Sequence, residues 1–129
     1  MMRSTLIGAL ALMAFTTAAR ADGDPAAGEK VFTQCKACHQ IGETAKNGVG
    51  PELNGLFGRH SGSVEGYNYS DANKNSGITW DETVFREYIK APRTKIPGTK
   101  MAFVGIKDDQ KITDLIAFLK QYAADGKKN

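Results

Sequence analysis

Cys35-Lys36-Ala37-Cys38-His39 constrains this chain more than any other five residues, because it holds both cysteines and one of the two histidines. Several chemistries compete for thiols spaced this way. A disulfide between them would close a two-residue loop, which removes little chain entropy and stabilises weakly. A thioredoxin-like redox pair needs a strand before it and a helix after it, and the flanks lack that pattern. A structural zinc site takes four Cys or His ligands, which the chain could supply only by recruiting the distant His60.

The residue after the second cysteine separates these chemistries from a fourth. Cys-x-x-Cys-His is the attachment signature of c-type haem. Its spacing lets Cys35 and Cys38 bond the two vinyl groups along one porphyrin edge, with His39 beneath the ring and a nitrogen towards the iron. A covalent tether suits a protein that works outside the cytoplasm, where a dissociated cofactor would be lost.

The N-terminus carries that address. Residues 1–21 contain an early Arg3, an apolar stretch from Leu6 to about Phe15, and Ala19-Arg20-Ala21, a small-x-small cleavage pattern. They read as a secretory signal peptide cleaved after Ala21, leaving a domain over residues 22–129 and a periplasmic location. The apolar run falls short of the roughly 20 residues that a membrane span needs. Loss of Arg3 and Arg20 reduces 17 basic residues to 15 against 14 acidic ones. A near-neutral mature domain with no basic run argues against nucleic acid as a partner. Its length allows one small domain with one core.

The leader also takes Met1, Met2 and Met13, leaving Met101 as the one methionine of the mature domain. Met101 lies in Ile96-Pro97-Gly98-Thr99-Lys100-Met101, 62 residues after His39, where Pro and Gly favour an irregular loop that can deliver one side chain to a fixed place. A thioether opposite His39 would fill the iron's coordination and raise its potential, whereas an open position would allow peroxide chemistry. Met101 as a flexible core filler is the plainer alternative. Lys100 is a third donor in reach along the sequence, and His60, among turn residues, reads as an exposed loop histidine.

The remaining pattern is helical with long loops. Asp24-Pro25 starts a helix that runs into the cysteine motif, and Ser70 is positioned to cap a short one. Another starts near Asp81 and ends before Pro92, with Val84, Phe85, Tyr88 and Ile89 as its apolar stripe. A last helix follows Asp108, with Ile112, Leu115, Ile116 and Leu119 on one face and Gly126 as its stop. Residues 40–69 hold seven glycines and read as loop. The expected fold class is all-α, four or five helices with long loops wrapping a covalently bound haem.

Together, CKACH, VGPELNGLFGR, YNYSDANKNSGITW and IPGTKMAF resemble the small class I c-type cytochromes, the cytochrome c and cytochrome c2 family, over nearly all of residues 22–124. The resemblance implies one covalent haem c with its iron, held by Cys35 and Cys38, with His39 and Met101 as axial ligands. It implies that the Pro51 carbonyl accepts from His39, and that Arg59, Tyr69 and Trp80 hold the haem propionates. It implies a polar network of Asn73, Tyr88 and Thr99 near the methionine sulfur, and Phe103 at the haem edge. Gly28, Phe32 and Phe118 match a close contact between the first and last helices.

The function so implied is one-electron transfer by a monomeric carrier, not an enzyme and not inserted in a membrane. Its partners would be membrane complexes: a quinol–cytochrome c oxidoreductase as donor, and a cytochrome oxidase or photosynthetic reaction centre as acceptor. Lys36, Lys46, Arg93, Lys95, Lys100 and Lys107 are candidate docking residues, with Asp22, Asp24, Glu82, Glu87 and the acids of residues 108–114 expected on other faces. A peroxidase with open iron, and a disulfide or metal module without haem, are the rival classes.

Overall fold

Asp24 caps the first helix as predicted. Its carboxylate accepts from the Ala26 N–H at 3.0 Å and Pro25 takes the first helical position, giving helix α1 (Pro25–Phe32). A 3-10 turn, Thr33–Cys35, tightens the end of α1 and delivers the first cysteine. The computed structural model describes residues 11–13 and 23–129. The signal peptide expected over residues 1–21 and its cleavage point lie outside the described residues, apart from residues 11–13, which have no regular structure.

Three further helices start on side-chain caps. Ser70 accepts from Asn73 N–H to start α2 (Asp71–Lys74), Asp81 from Val84 N–H to start α3 (Glu82–Lys90), and Asp108 from Lys111 N–H to start α5 (Asp109–Leu119). Between them, α4 (Pro92–Lys95) is one turn that uses Pro92 at its first position. The sequence reading took Pro92 only as the end of α3. Among the described residues there are five helices and no strand, only isolated antiparallel bridges at His60 with Thr79 and Tyr122 with Lys128.

The expected stop at Gly126 is corrected by the structure. Helix α5 ends at Leu119, where the Lys120 N–H bonds back to the Ile116 carbonyl. Residues 120–129 form a hairpin, with Ala123 N–H donating to the Lys127 carbonyl at 2.9 Å. Gly126, at φ +84°, lies in that turn. Helical propensity would have carried α5 further; the closing hairpin and its loop contacts prevail.

Helices α1 and α5 cross at Gly28. A Cβ there would collide with the Asp114 carbonyl and come within 2.8 Å of the Phe118 Cβ, so only glycine admits this approach. Phe32 and Phe118 then pack with ring centroids 5.1 Å apart. Ile112, Leu115, Ile116 and Leu119 are buried, as their spacing predicts, and each buried side chain of this size contributes about 1.5–3 kcal/mol. On α3, Phe85, Tyr88 and Ile89 are buried while Val84 is half-buried.

Residues 40–69 contain no helix and are tied by side chain to backbone. Asn54, 8 % exposed, accepts from the Gly42 N–H and donates to the Gly42 carbonyl, both at 2.8 Å. Residues 58–61 pair with 78–80 through Gly58 to Trp80, Trp80 to Arg59 and Ser61 to Ile78 backbone bonds. These ties hold the loops open around a cavity.

Candidate functional site

The cavity measures about 380 Å³ and lies between the cysteine motif, the 49–62 loop, α3, α5 and the Met101 loop. Its walls are mainly apolar, with Leu53, Leu56, Phe85, Ile89, Leu115 and Leu119 prominent. Cys35, Cys38, His39 and Met101 all line it. Both thiols are free, Cys35 half-buried and Cys38 exposed. Burial, with the neighbouring Cys38, pushes the Cys35 thiol up to about 11.

His39 is held in one tautomer by its partner. Its Nδ1 lies 2.7 Å from the Pro51 carbonyl, an acceptor without a proton, so Nδ1 must donate. That leaves Nε2 with its lone pair available. Burial lowers the His39 pKa, the bond to Pro51 opposes this, and the Arg59 charge reinforces it. The net effect favours the neutral ring that a metal requires. Gly50 packs behind the imidazole, and a Cβ there would run into the His39 ring. The loop reading of Gly50 missed this, because nothing local marks a glycine as the backing of a ring eleven residues away.

Met101 is fixed on its own side. The Tyr88 hydroxyl donates to Met101 Sδ at 2.9 Å, and the Met101 N–H donates to Thr99 Oγ1 at 3.3 Å. Thr99 Oγ1 in turn donates to Asn73 Oδ1 at 2.8 Å, which also accepts from Ser70 Oγ. Tyr88, Thr99 and Asn73 thus converge on one methionine. Burial pushes the Tyr88 hydroxyl up to about 12, keeping it a donor. Trp80 is buried with its ring 4.8 Å from that of Tyr88, and Phe103 is half-buried on the cavity wall.

Arg59 and Tyr69 also line the cavity. The Arg59 Nη1 donates to the carbonyls of Glu52 at 3.0 Å and Asn54 at 3.2 Å. Burial lowers the Arg59 pKa, and the neighbouring Tyr69 and Glu52 pull it back. The Tyr69 hydroxyl accepts from the Val64 N–H at 3.1 Å, and burial raises its pKa. Glu52 was not foreseen as a partner of Arg59; loop residues seven apart carry no periodic signal.

The six candidate docking residues are all exposed, but they are not equally free. Lys95 pairs with Glu87 at 2.7 Å, which corrects the expectation that Glu87 faces elsewhere. The one-turn α4 folds the chain back beside α3 and brings the two together. Lys107 donates to the Lys90 carbonyl, and Lys100 to that of Asn68 while standing 4.9 Å over the Tyr67 ring. Lys36, Lys46 and Arg93 are exposed. His60 is exposed too, outside the cavity wall, its Nδ1 2.8 Å from Thr79 Oγ1.

This lining suits a flat apolar group with a metal at its centre. Imidazole and thioether are the donors that such iron takes, and the free thiols stand where a covalent tether would form. The class is therefore a small all-α haem protein. Comparison sharpens it: the Cytochrome c family model matches residues 25–123. Cytochrome c2 of Blastochloris viridis is 63 % identical over 127 residues, spanning 98 % of this chain and 99 % of its own. Cytochrome c-554 of Methylosinus trichosporium is 57 % identical over 124 residues, 96 % of this chain and 94 % of its own. The solved structure of cytochrome cH from Methylobacterium extorquens superposes with a TM-score of 0.72 at 52 % identity, covering 76 % of this chain and 98 % of that one.

The chain belongs to the cytochrome c family. It is an electron-transfer protein rather than an enzyme, and its cofactor is covalently attached haem c with iron.

Proposed function

We propose that this protein carries single electrons in the periplasm, with Cys35 and Cys38 tethering the haem and His39 and Met101 as its axial ligands. When bound, haem supplies a one-electron couple, its iron alternating between the ferric and ferrous states. The observation that carries the proposal is the pair of oriented donors: Nδ1–H of His39 is spent on Pro51 at 2.7 Å, and Met101 Sδ accepts from Tyr88 at 2.9 Å.

The chain's residues do the rest. Pro51 fixes the imidazole plane and strengthens its donor nitrogen. Tyr88, Thr99 and Asn73 hold Met101 so that neither redox state demands a rearrangement. Arg59, Tyr69 and Trp80 offer donors to the acidic edge of the haem, which would otherwise be costly to bury. Apolar walls exclude water and favour the less charged ferrous state.

Export rests on the N-terminal leader, the domain at residues 22–129 being what remains after cleavage following Ala21. Among the described residues no helix is long and apolar enough to cross a membrane. The donor would be a quinol–cytochrome c oxidoreductase and the acceptor a cytochrome oxidase or a photosynthetic reaction centre. Lys36, Lys46, Arg93, Lys95, Lys100 and Lys107 would orient the approach, so transfer rates should fall as salt rises.

Spectroscopy of the exported protein is the test. A pyridine haemochrome and a mass increased by one haem are expected, along with the charge-transfer band of methionine-ligated ferric haem. Met101→Ala should abolish that band and admit cyanide and carbon monoxide. An unaltered protein that lacks the band and binds these ligands quickly would instead be an open-iron protein.

A further inference from the structure

Arg59 lines the cavity wall, and Glu52, beside it, does not. Its Oε1 lies 3.7 Å from Arg59 Nη1, the nitrogen that also donates to the Glu52 and Asn54 carbonyls. The carboxylate is itself anchored. Oε2 accepts from the Asn54 N–H at 2.7 Å, and the Glu52 N–H donates to Asn47 Oδ1 at 3.0 Å. The two side chains are 14 % and 22 % exposed, so water screens them only in part. The ionisable groups that face Glu52 are Arg59 and Tyr69.

Resting on the proposal that haem fills this cavity, we infer that Glu52 is a positioning residue that sets the reduction potential by holding Arg59 and offsetting its charge. A positive charge at the cavity wall favours the ferrous state, since ferric iron is the more positive partner. Glu52 places a fixed negative charge beside that guanidinium, and its own carbonyl takes one of the guanidinium's hydrogen bonds. Both effects weaken what Arg59 offers to the cavity, so Glu52 lowers the potential.

Glu52→Gln tests this with little change of shape, because its amide oxygen can still accept from the Asn54 N–H. In the purified holoprotein at pH 7, the ferrous-to-ferric ratio at a fixed ambient potential should rise about threefold, roughly 30 mV at about 59 mV per decade. Glu52→Asp, which keeps the charge, should stay near the unaltered protein. Glu52→Met also removes the charge, should shift the potential the same way, and stands in if the Gln variant does not assemble. An unshifted potential in the charge-removing variants, or an equal shift in the Asp variant, overturns the role of Glu52. A colourless unaltered protein overturns the haem proposal instead, so the two failures are told apart.

Discussion

The helix crossing and the cavity wall are held together in opposite ways. At the crossing of α1 and α5, Gly28, Phe32 and Phe118 meet by shape, with aromatic and aliphatic side chains closing the gap. Around the cavity, residues 40–69 and the Met101 loop are held by individual hydrogen bonds: Asn54 to Gly42, His39 to Pro51, Tyr88 to Met101. The crossing is complete within the chain. The wall is a set of tethers around an apolar space, so the same sequence carries one dense half and one held bond by bond.

The largest expected effect is at the crossing. Gly28→Val would drive side-chain atoms into the Asp114 carbonyl, and overpacking against backbone should cost about 3 kcal/mol or more in urea denaturation of the holoprotein. Asn54→Ala removes both bonds to Gly42 and should cost about 2 kcal/mol in the same assay. If it cost more than Gly28→Val, the ranking of the two regions would be reversed.

Tyr88→Phe comes next, at about 1 kcal/mol for one hydrogen bond. It should also lower the reduction potential, since the lost donor no longer draws electron density from Met101 sulfur. The pH dependence carries a further signature. Tyr88 is pushed up to about 12 when folded, against about 10 unfolded, so its contribution is intact below pH 10 and fades as pH rises through 12. Alkaline denaturation of the Phe variant should lack that loss.

The smallest effect is on the surface. The hydrogen bond and charge of Lys90, 2.7 Å away, lower the Asp109 pKa from its ordinary 3.8. Stability from this pair is therefore present above the unfolded value and lost as pH falls through the lower, folded one. Asp109→Asn should be hard to detect at pH 7, because exposed pairs contribute little.

How much could be read from the chain follows the same division. Helix starts were legible because Asp24, Ser70, Asp81 and Asp108 are local caps that act within three residues. The stripe on α5 was legible because burial at the crossing imposes a period. Where no period or cap links the partners, the signal vanishes: Gly50 behind His39, Glu52 beside Arg59 and Lys95 against Glu87 come together only through the fold. Pro92 follows the end of α3 as read, while Gly126 misled for a related reason. Gly126 ends a helix by rule but here turns a hairpin, and Pro92 also begins the single turn of α4, which the rule does not announce. The resemblance to a family brought in Pro51, Arg59, Tyr69, Asn73, Trp80, Tyr88, Thr99 and Phe103, which composition alone would have left as packing or surface residues.

The backbone N–H of Asp24 donates to the Asp114 carboxylate, a partner 90 positions further along the chain. The first helix is therefore closed over only when the last helix reaches it, so this contact belongs to the end of folding. Under the proposed attachment at Cys35, the thiol would be reached before that closure, since burial pushes it up to about 11 and makes it a sluggish nucleophile. On that proposal the contact between the two ends of the chain is a latch, set after the cofactor is in place.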